Sequence, residues 1–175
     1  MKFFISGPPG VGKTTVFLKV IELLREDGLR IGGFICPEVR VGGRRVGFKI
    51  VDLISGEEGW LAELCEGGEP RIGRYCVNVE TATAVGVNSI KKAVENSDLI
   101  AIDEIGPMEL SVPQLKSAIY DVLRSERVLL AVIHWKLKDT ILKSLSSRWE
   151  LFSVSLSNRD WIHKDLYFRI RDSLY

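Results

Sequence analysis

The segment Gly7-Pro8-Pro9-Gly10-Val11-Gly12-Lys13-Thr14 constrains this chain more than any other. It fits G-x-x-x-x-G-K-[ST] in full, and its flanks obey the same logic. Before it, Phe3-Phe4-Ile5 predicts a buried strand over Lys2–Ser6. After it, Val16, Val20 and Leu24 recur at i, i+4 and i+8 until Gly28 stops the pattern, which predicts a helix over Lys13–Asp27. A strand, a glycine turn and a helix in that order aim successive backbone N–H groups at one point, with the positive end of the helix dipole behind them. The Lys13 ammonium and the Thr14 hydroxyl turn that anion site into one for a polyphosphate and its Mg²⁺: Lys13 reaches the β- and γ-phosphates, and Thr14 ligates the cation. Gly7, Pro8, Pro9, Gly10, Val11, Gly12, Lys13, Thr14 and Thr15 are therefore expected to surround the phosphates.

The remaining sequence alternates strand-length apolar runs with helix-period segments, the pattern of a parallel sheet flanked by helices. Strands are expected at Leu99–Asp103, Val128–His134 and Leu151–Ser155, and a short helix at Leu137–Leu145. Ser111 with Gln114 reads as a capping box opening a helix whose inner face is Leu115, Ile119, Val122 and Leu123. Ile162, Leu166, Ile170 and Leu174 mark a last helix. Residues 30–80 break the alternation. Ile31–Val41, Gly42-Gly43 and Arg44–Ile54 predict a β-hairpin, and Arg74–Val79 a further strand after the turn Glu66–Pro70. This stretch is too short to bury a core of its own. The expectation is one three-layer α/β domain over 1–175, with helices on both faces of a parallel sheet and a hairpin-rich insertion at 30–80.

Leu99-Ile100-Ala101-Ile102-Asp103-Glu104 is an apolar strand closing on two carboxylates. Beside a phosphate loop, Asp103 is expected to complete the Mg²⁺ site with Thr14, and Glu104 to orient and deprotonate water. Asp103-Glu104-Ile105-Gly106 also fits the D-x-x-G of regulatory GTPases. The guanine-reading N-K-x-D is absent, Asn158-Arg159-Asp160 coming close without matching, which disfavours a guanine-specific switch.

The totals exclude other classes. With 46% apolar and 27% charged residues and a net charge of +1, the chain is neither disordered nor a broad polyanion binder, so no nucleic-acid partner is signalled. The longest late apolar run, Val128 to Ile133, is far below a membrane span. A cytoplasmic location is expected. Cys36, Cys65 and Cys76 form no CxxC pair and are expected to be reduced core residues. The scarcity of glutamine and asparagine hints at a thermophilic source.

Several further residues carry two readings each. His134, at a strand end, either senses the γ-phosphate or the attacking water, or packs beside Trp135. Asn158 and Arg159 follow the last strand and either meet the nucleobase or belong to the start of the last helix, where Ser157 and Asp160 read as a capping box. Arg40, Arg44, Arg45 and Lys49 on the hairpin either offset transition-state charge or keep an edge strand solvated, and Arg148 is a further candidate.

Gly33-Phe34 through Glu38-Val39-Arg40, Arg45-Val46-Gly47-Phe48, Asp103-Glu104-Ile105-Gly106-Pro107-Met108-Glu109-Leu110 and Asn158-Arg159-Asp160 together resemble the small thermophilic nucleoside-triphosphatases, the family that includes the human cancer-related NTPase. The resemblance spans nearly the whole chain. It implies a RecA-like five-stranded parallel core with added hairpins, and hydrolysis of ATP, GTP and other nucleoside triphosphates with little base selectivity. Two alternatives stand beside hydrolysis: a kinase passing the γ-phosphate to a small acceptor, and a nucleotide-dependent switch whose protein partner the sequence does not name.

Overall fold

The apolar runs pair into one ten-stranded sheet in the computed structural model, which describes residues 1–175. Its core is five strands: β1 (Lys2–Ser6), β2 (Ile31–Ile35), β8 (Leu99–Ile105), β9 (Leu129–Ile133) and β10 (Trp149–Ser153). They lie parallel in the order β10-β1-β9-β8-β2. All five carboxyl ends therefore share one edge, and β9 stands between the strand that leads into the glycine loop and the strand that ends in acids. This is the expected RecA-like arrangement.

Strand alternation splits the core into two layers. Phe3, Ile5, Leu99, Ala101, Leu130 and Val132 pack against α1 (Lys13–Glu26) and α7 (Ile162–Leu174). Phe4, Ile100, Ile102, Ala131 and Ile133 pack on the other face. That face is covered by α5 (Pro113–Arg124), by α6 (Lys138–Lys143), and by a helical stretch made of α2 (Val79–Thr81), a π-turn over Ala82–Val87 and α3 (Asn88–Asn96). At the foot of β1 the buried Lys2 ammonium donates to the carbonyls of Val122, Ser125 and Arg127 at 2.8, 2.8 and 2.6 Å, which satisfies the carboxyl end of α5.

The sheet continues past β2 through antiparallel strands β4 (Arg44–Asp52), β5 (Glu58–Leu64), β7 (Tyr75–Val77) and β6 (Arg71–Ile72), with β3 (Glu38–Val41) paired to β4. The hairpin turns at Gly42-Gly43 as expected. Ile31–Val41 is not one strand, however. Ile31–Ile35 is a core parallel strand on β8, and the extension begins only after it. The glycines explain the split. Gly33 has φ 120°, and a Cβ there would lie 2.0 Å from the Ala101 carbonyl oxygen, so β2 approaches β8 in a way only glycine permits. β5 and the helical stretch 79–96 are additional elements beyond those expected from the sequence. Two further expectations are corrected. Ser111 does not cap α5: its hydroxyl donates to the Met108 carbonyl, and Pro113 opens the helix. Ser157 and Asp160 do not cap α7, whose N-terminus has no side-chain cap.

Cys65 and Cys76 are disulfide-bonded, not reduced core residues, and Cys36 alone is free. Cys65 lies just beyond β5, its N–H bonded to the Arg74 carbonyl, so β5 and β7 bring the two sulfurs together. The bridge closes a loop of sequence separation 11, for which the chain-entropy relation gives about 3 kcal/mol. Cys76→Ser should lower unfolding stability by roughly 2–3 kcal/mol while leaving turnover near wild type, read by denaturant unfolding with and without reductant.

Candidate active site

The glycine loop is built by sterics at its entrance and by torsion at its exit. A Cβ on Gly7 would meet the Val154 carbonyl at 2.6 Å, so the loop can pass close to the end of β10 only with glycine there. Gly10 and Gly12 have φ of 74° and 106°, the region that turns the following amides inward. α1 begins at Lys13 directly after Gly12. Lys13 Nζ donates to the Pro8 carbonyl at 3.0 Å, folding the ammonium back over its own loop.

Asp103 follows the parity of Leu99 and Ala101 and so faces the α1 side, where Thr14 lies close enough to favour its ionised form. Only 5% of Asp103 is exposed. Burial pushes its carboxyl up to about 6, against the pull of Thr14 and Lys13. Glu104 would point the opposite way in a regular strand. The β8–β9 ladder instead slips by one residue: Asp103 pairs with Val132, and Ile105 pairs with the next residue, Ile133. Glu104 is the extra residue of a bulge, and Ile105 takes its place in the apolar layer. Burial and the neighbouring Asp103 raise the Glu104 carboxyl to about 7, with Lys13 opposing. Both acids thus sense the same ammonium group.

Two residues to which sequence reasoning assigned no role complete this end of β8. Glu109, on α4 (Pro107–Leu110), is buried, and its Oε2 accepts from the Gly106 N–H at 3.0 Å. Burial pushes its carboxyl to about 8, with the Cys36 side chain close by. Cys36 in turn donates its N–H to the Asp103 carbonyl at 2.6 Å. The sequence signals for the pair are Glu109's place in the Asp-Glu-Ile-Gly-Pro-Met-Glu block and, for Cys36, its place in the Gly33–Arg40 stretch and the expectation of a reduced residue packed on the core, which holds for this cysteine.

His134 follows β9, its N–H bonded to the Ile105 carbonyl at 3.1 Å. Burial first, then Lys13 and Lys136, keep its imidazole below the usual range, so it stands near the phosphate loop as a neutral ring. It also stacks with Trp135 at 6.0 Å between ring centroids, as the packing reading expects. Asn158 is occupied locally. Its Oδ1 accepts from Ser155 N–H at 2.8 Å and its Nδ2 donates to the Ser153 carbonyl at 2.9 Å, which shapes the loop after β10. That loop lays Arg159 over the phosphate turn: its Cδ is 3.8 Å from where a Cβ on Gly12 would be.

Three of the four hairpin cations, Arg40, Arg45 and Lys49, have partners of their own. Arg40 and Arg45 both bond Glu38, Arg45 also bonds the Tyr75 hydroxyl at 3.0 Å, and Lys49 pairs with Glu58. Arg148 lies at the wrong edge for phosphate chemistry. Its carbonyl accepts from the Lys2 N–H at the amino ends of β1 and β10, beside a cavity of about 690 Å³ lined by Met1, Glu126 and Arg169.

Comparison with known proteins agrees with this geometry. The family model described as NTPase matches residues 2–167. Nucleoside-triphosphatase THEP1 of Thermofilum pendens is 44% identical over 167 residues, covering 94% of this chain and 92% of that protein. The protein of the same name from Methanocaldococcus jannaschii is 40% identical over 174 residues, covering 97% of each. Among solved structures, THEP1 from the hyperthermophile Aquifex aeolicus superposes with a TM-score of 0.79 at 28% identity over 95% of this chain and 96% of that one. The solution structure of a human cancer-related nucleoside triphosphatase gives 0.79 at 29% identity over 98% of both chains. A glycine loop at one strand end, paired acids two strands away and relatives matched along nearly their whole length lead to one assignment: the chain belongs to the NTPase family.

Proposed function

We propose that this NTPase hydrolyses the terminal anhydride of ATP, GTP and other nucleoside triphosphates with Mg²⁺ as cofactor and water as acceptor, within a single domain. The observation that carries the reading is the bulge at Glu104, which sets an unpaired, partly buried carboxylate beside Asp103 at the edge where the glycine loop ends.

The residues fit a hard divalent cation. Asp103 is buried with Thr14 beside it, and these two oxygen donors would hold the cation. Bound there, it would supply positive charge to offset the negative charge that develops on the leaving diphosphate. On nucleotide binding Lys13 exchanges the Pro8 carbonyl for β- and γ-phosphate oxygens, while the loop amides hold the phosphate tail in line. Glu104 accepts a proton as the water oxygen bonds to the γ-phosphorus and the bond to the β,γ-bridging oxygen breaks. The proton then leaves with the phosphate product. His134, neutral, is a hydrogen-bond partner for the γ-phosphate or the water. Arg159 offers its planar guanidinium to any nucleobase face, which accounts for broad base acceptance, and Asn158 holds the loop that presents it. The chain has no helix long and apolar enough to cross a membrane, and we place the enzyme in the cytoplasm, with its substrates.

Glu104→Gln should retain Mg²⁺-nucleotide affinity while phosphate release falls about 10²- to 10⁴-fold, whereas Lys13→Ala should weaken binding as well. Product that forms only with an added nucleoside or other acceptor would instead favour phosphoryl transfer. Because Glu104 and Asp103 must both be ionised, kcat/KM should level off above about 7, fall about tenfold per pH unit below it, and fall more steeply still below about 6.

The same burial has a stability consequence. The folded-state carboxyl of Glu104 sits above its unfolded value of 4.5, so its stabilising contribution is present below that value and is lost as pH rises through about 7. Without nucleotide, Glu104→Gln should therefore be more stable than wild type by about 1–3 kcal/mol at pH 8, the gap closing toward pH 5, measured by denaturant unfolding.

A further inference from the structure

One buried carboxyl group at the end of β8 has no part in the reaction described above. Glu109 is 4% exposed, on the short helix that starts immediately after the acid strand. Its Oε2 accepts from the Gly106 N–H at 3.0 Å, and the Cys36 side chain lies close to its carboxyl. Cys36 ties back to the acid strand by donating its N–H to the Asp103 carbonyl at 2.6 Å. Glu104, as the extra residue of the bulge, has no partner across the β8–β9 ladder, so the ladder does not hold it in place.

What holds it is the packing around Gly106. A Cβ on Gly106 would lie 2.9 Å from Glu104 Oε1 and 2.8 Å from Glu109 Oε2, so both carboxyl groups occupy the space that a side chain there would need. The backbone there does not need glycine: φ is −132° and ψ −179°, an extended conformation open to any residue. Glycine is required for the space that the two carboxyl groups occupy.

We infer that Glu109 is a positioning residue for hydrolysis, which through the Gly106 amide and the space the two carboxyl groups share beside Gly106 fixes the segment carrying Glu104 and holds that carboxylate where it meets the attacking water. The inference rests on Glu104 being the base. A carboxyl group suits the role because one of its oxygens accepts from the amide while the group fills the space beside Glu104. Being enclosed behind Gly106 and Cys36, Glu109 acts through Glu104 and not on substrate.

The test is a kinetic cycle with thermal unfolding run alongside. Glu109→Ala should lower kcat about 10- to 100-fold with KM nearly unchanged, the size expected when a supporting hydrogen-bond partner is lost. Glu109→Gln, whose amide oxygen still accepts from Gly106, should recover most of that loss. Gly106→Ala, which leaves the backbone unstrained and displaces the two carboxyl groups, should reproduce the kcat defect at a near-native unfolding temperature, so the idea stays testable even if Glu109→Ala folds poorly. The double variant Glu104→Gln/Glu109→Ala should be no slower than Glu104→Gln alone. Wild-type kcat in Glu109→Ala or Gly106→Ala, no rescue by glutamine, or a full additional loss in the double variant would overturn the positioning role, with the base assignment intact so long as Glu104→Gln is inactive. If Glu104→Gln is itself fully active, both readings fall together.

Discussion

Two carboxylates side by side at a buried strand end are electrostatically unfavourable until cations meet them, and the rest of this molecule is arranged around that fact. Burial raises both, and Asp103 raises Glu104 further, while Lys13 offers partial relief to each. The glycine loop is the complementary half: amides and an ammonium that favour negative charge. A divalent cation with a triphosphate satisfies both halves at once, which ties substrate binding to the ionisation state that catalysis needs.

Sheet order turns that complementarity into geometry. With β9 between β1 and β8, the loop and the acids stand one strand apart along the same edge, leaving room for phosphates above β9. His134 emerges from the end of β9 itself, and the loop after β10 brings Arg159 to the other side of the glycine turn. Four of the five core strands, β1, β8, β9 and β10, thus end in the segments proposed here as phosphate cradle, metal ligand and base, polar sensor and base-facing guanidinium, an assembly that loops alone would hold less rigidly.

Much of this was legible in the sequence because it rests on local rules. The strand Lys2–Ser6, the glycine loop and the helix after it follow from torsional need and apolar period, and β8 and β9 from unbroken apolar runs. What escaped depends on contacts between segments distant along the chain. The role of Ile31–Ile35 turns on Gly33 lying against Ala101, and the Cys65–Cys76 bridge on strand β5, whose mixed pattern gives no period. The bulge at Glu104 is visible only as a one-residue slip against β9, and Glu109 becomes meaningful only when Gly106 and Cys36 are seen to lie beside it. The false caps at Ser111 and Ser157 show the converse: a local pattern gave way to Pro113 in one case and to the Asn158 loop in the other.

The claim that the cation bound with the nucleotide offsets the charge of the buried acids is tested most directly by the protons exchanged on binding. Calorimetry of a non-hydrolysable triphosphate with Mg²⁺, repeated near pH 6 in buffers of different ionisation heat, reports that number. The account predicts that the wild-type protein releases more protons per bound nucleotide than Asp103→Asn, because the raised Asp103 carboxyl must ionise to take its place in the site. Equal proton release from the two proteins would contradict it.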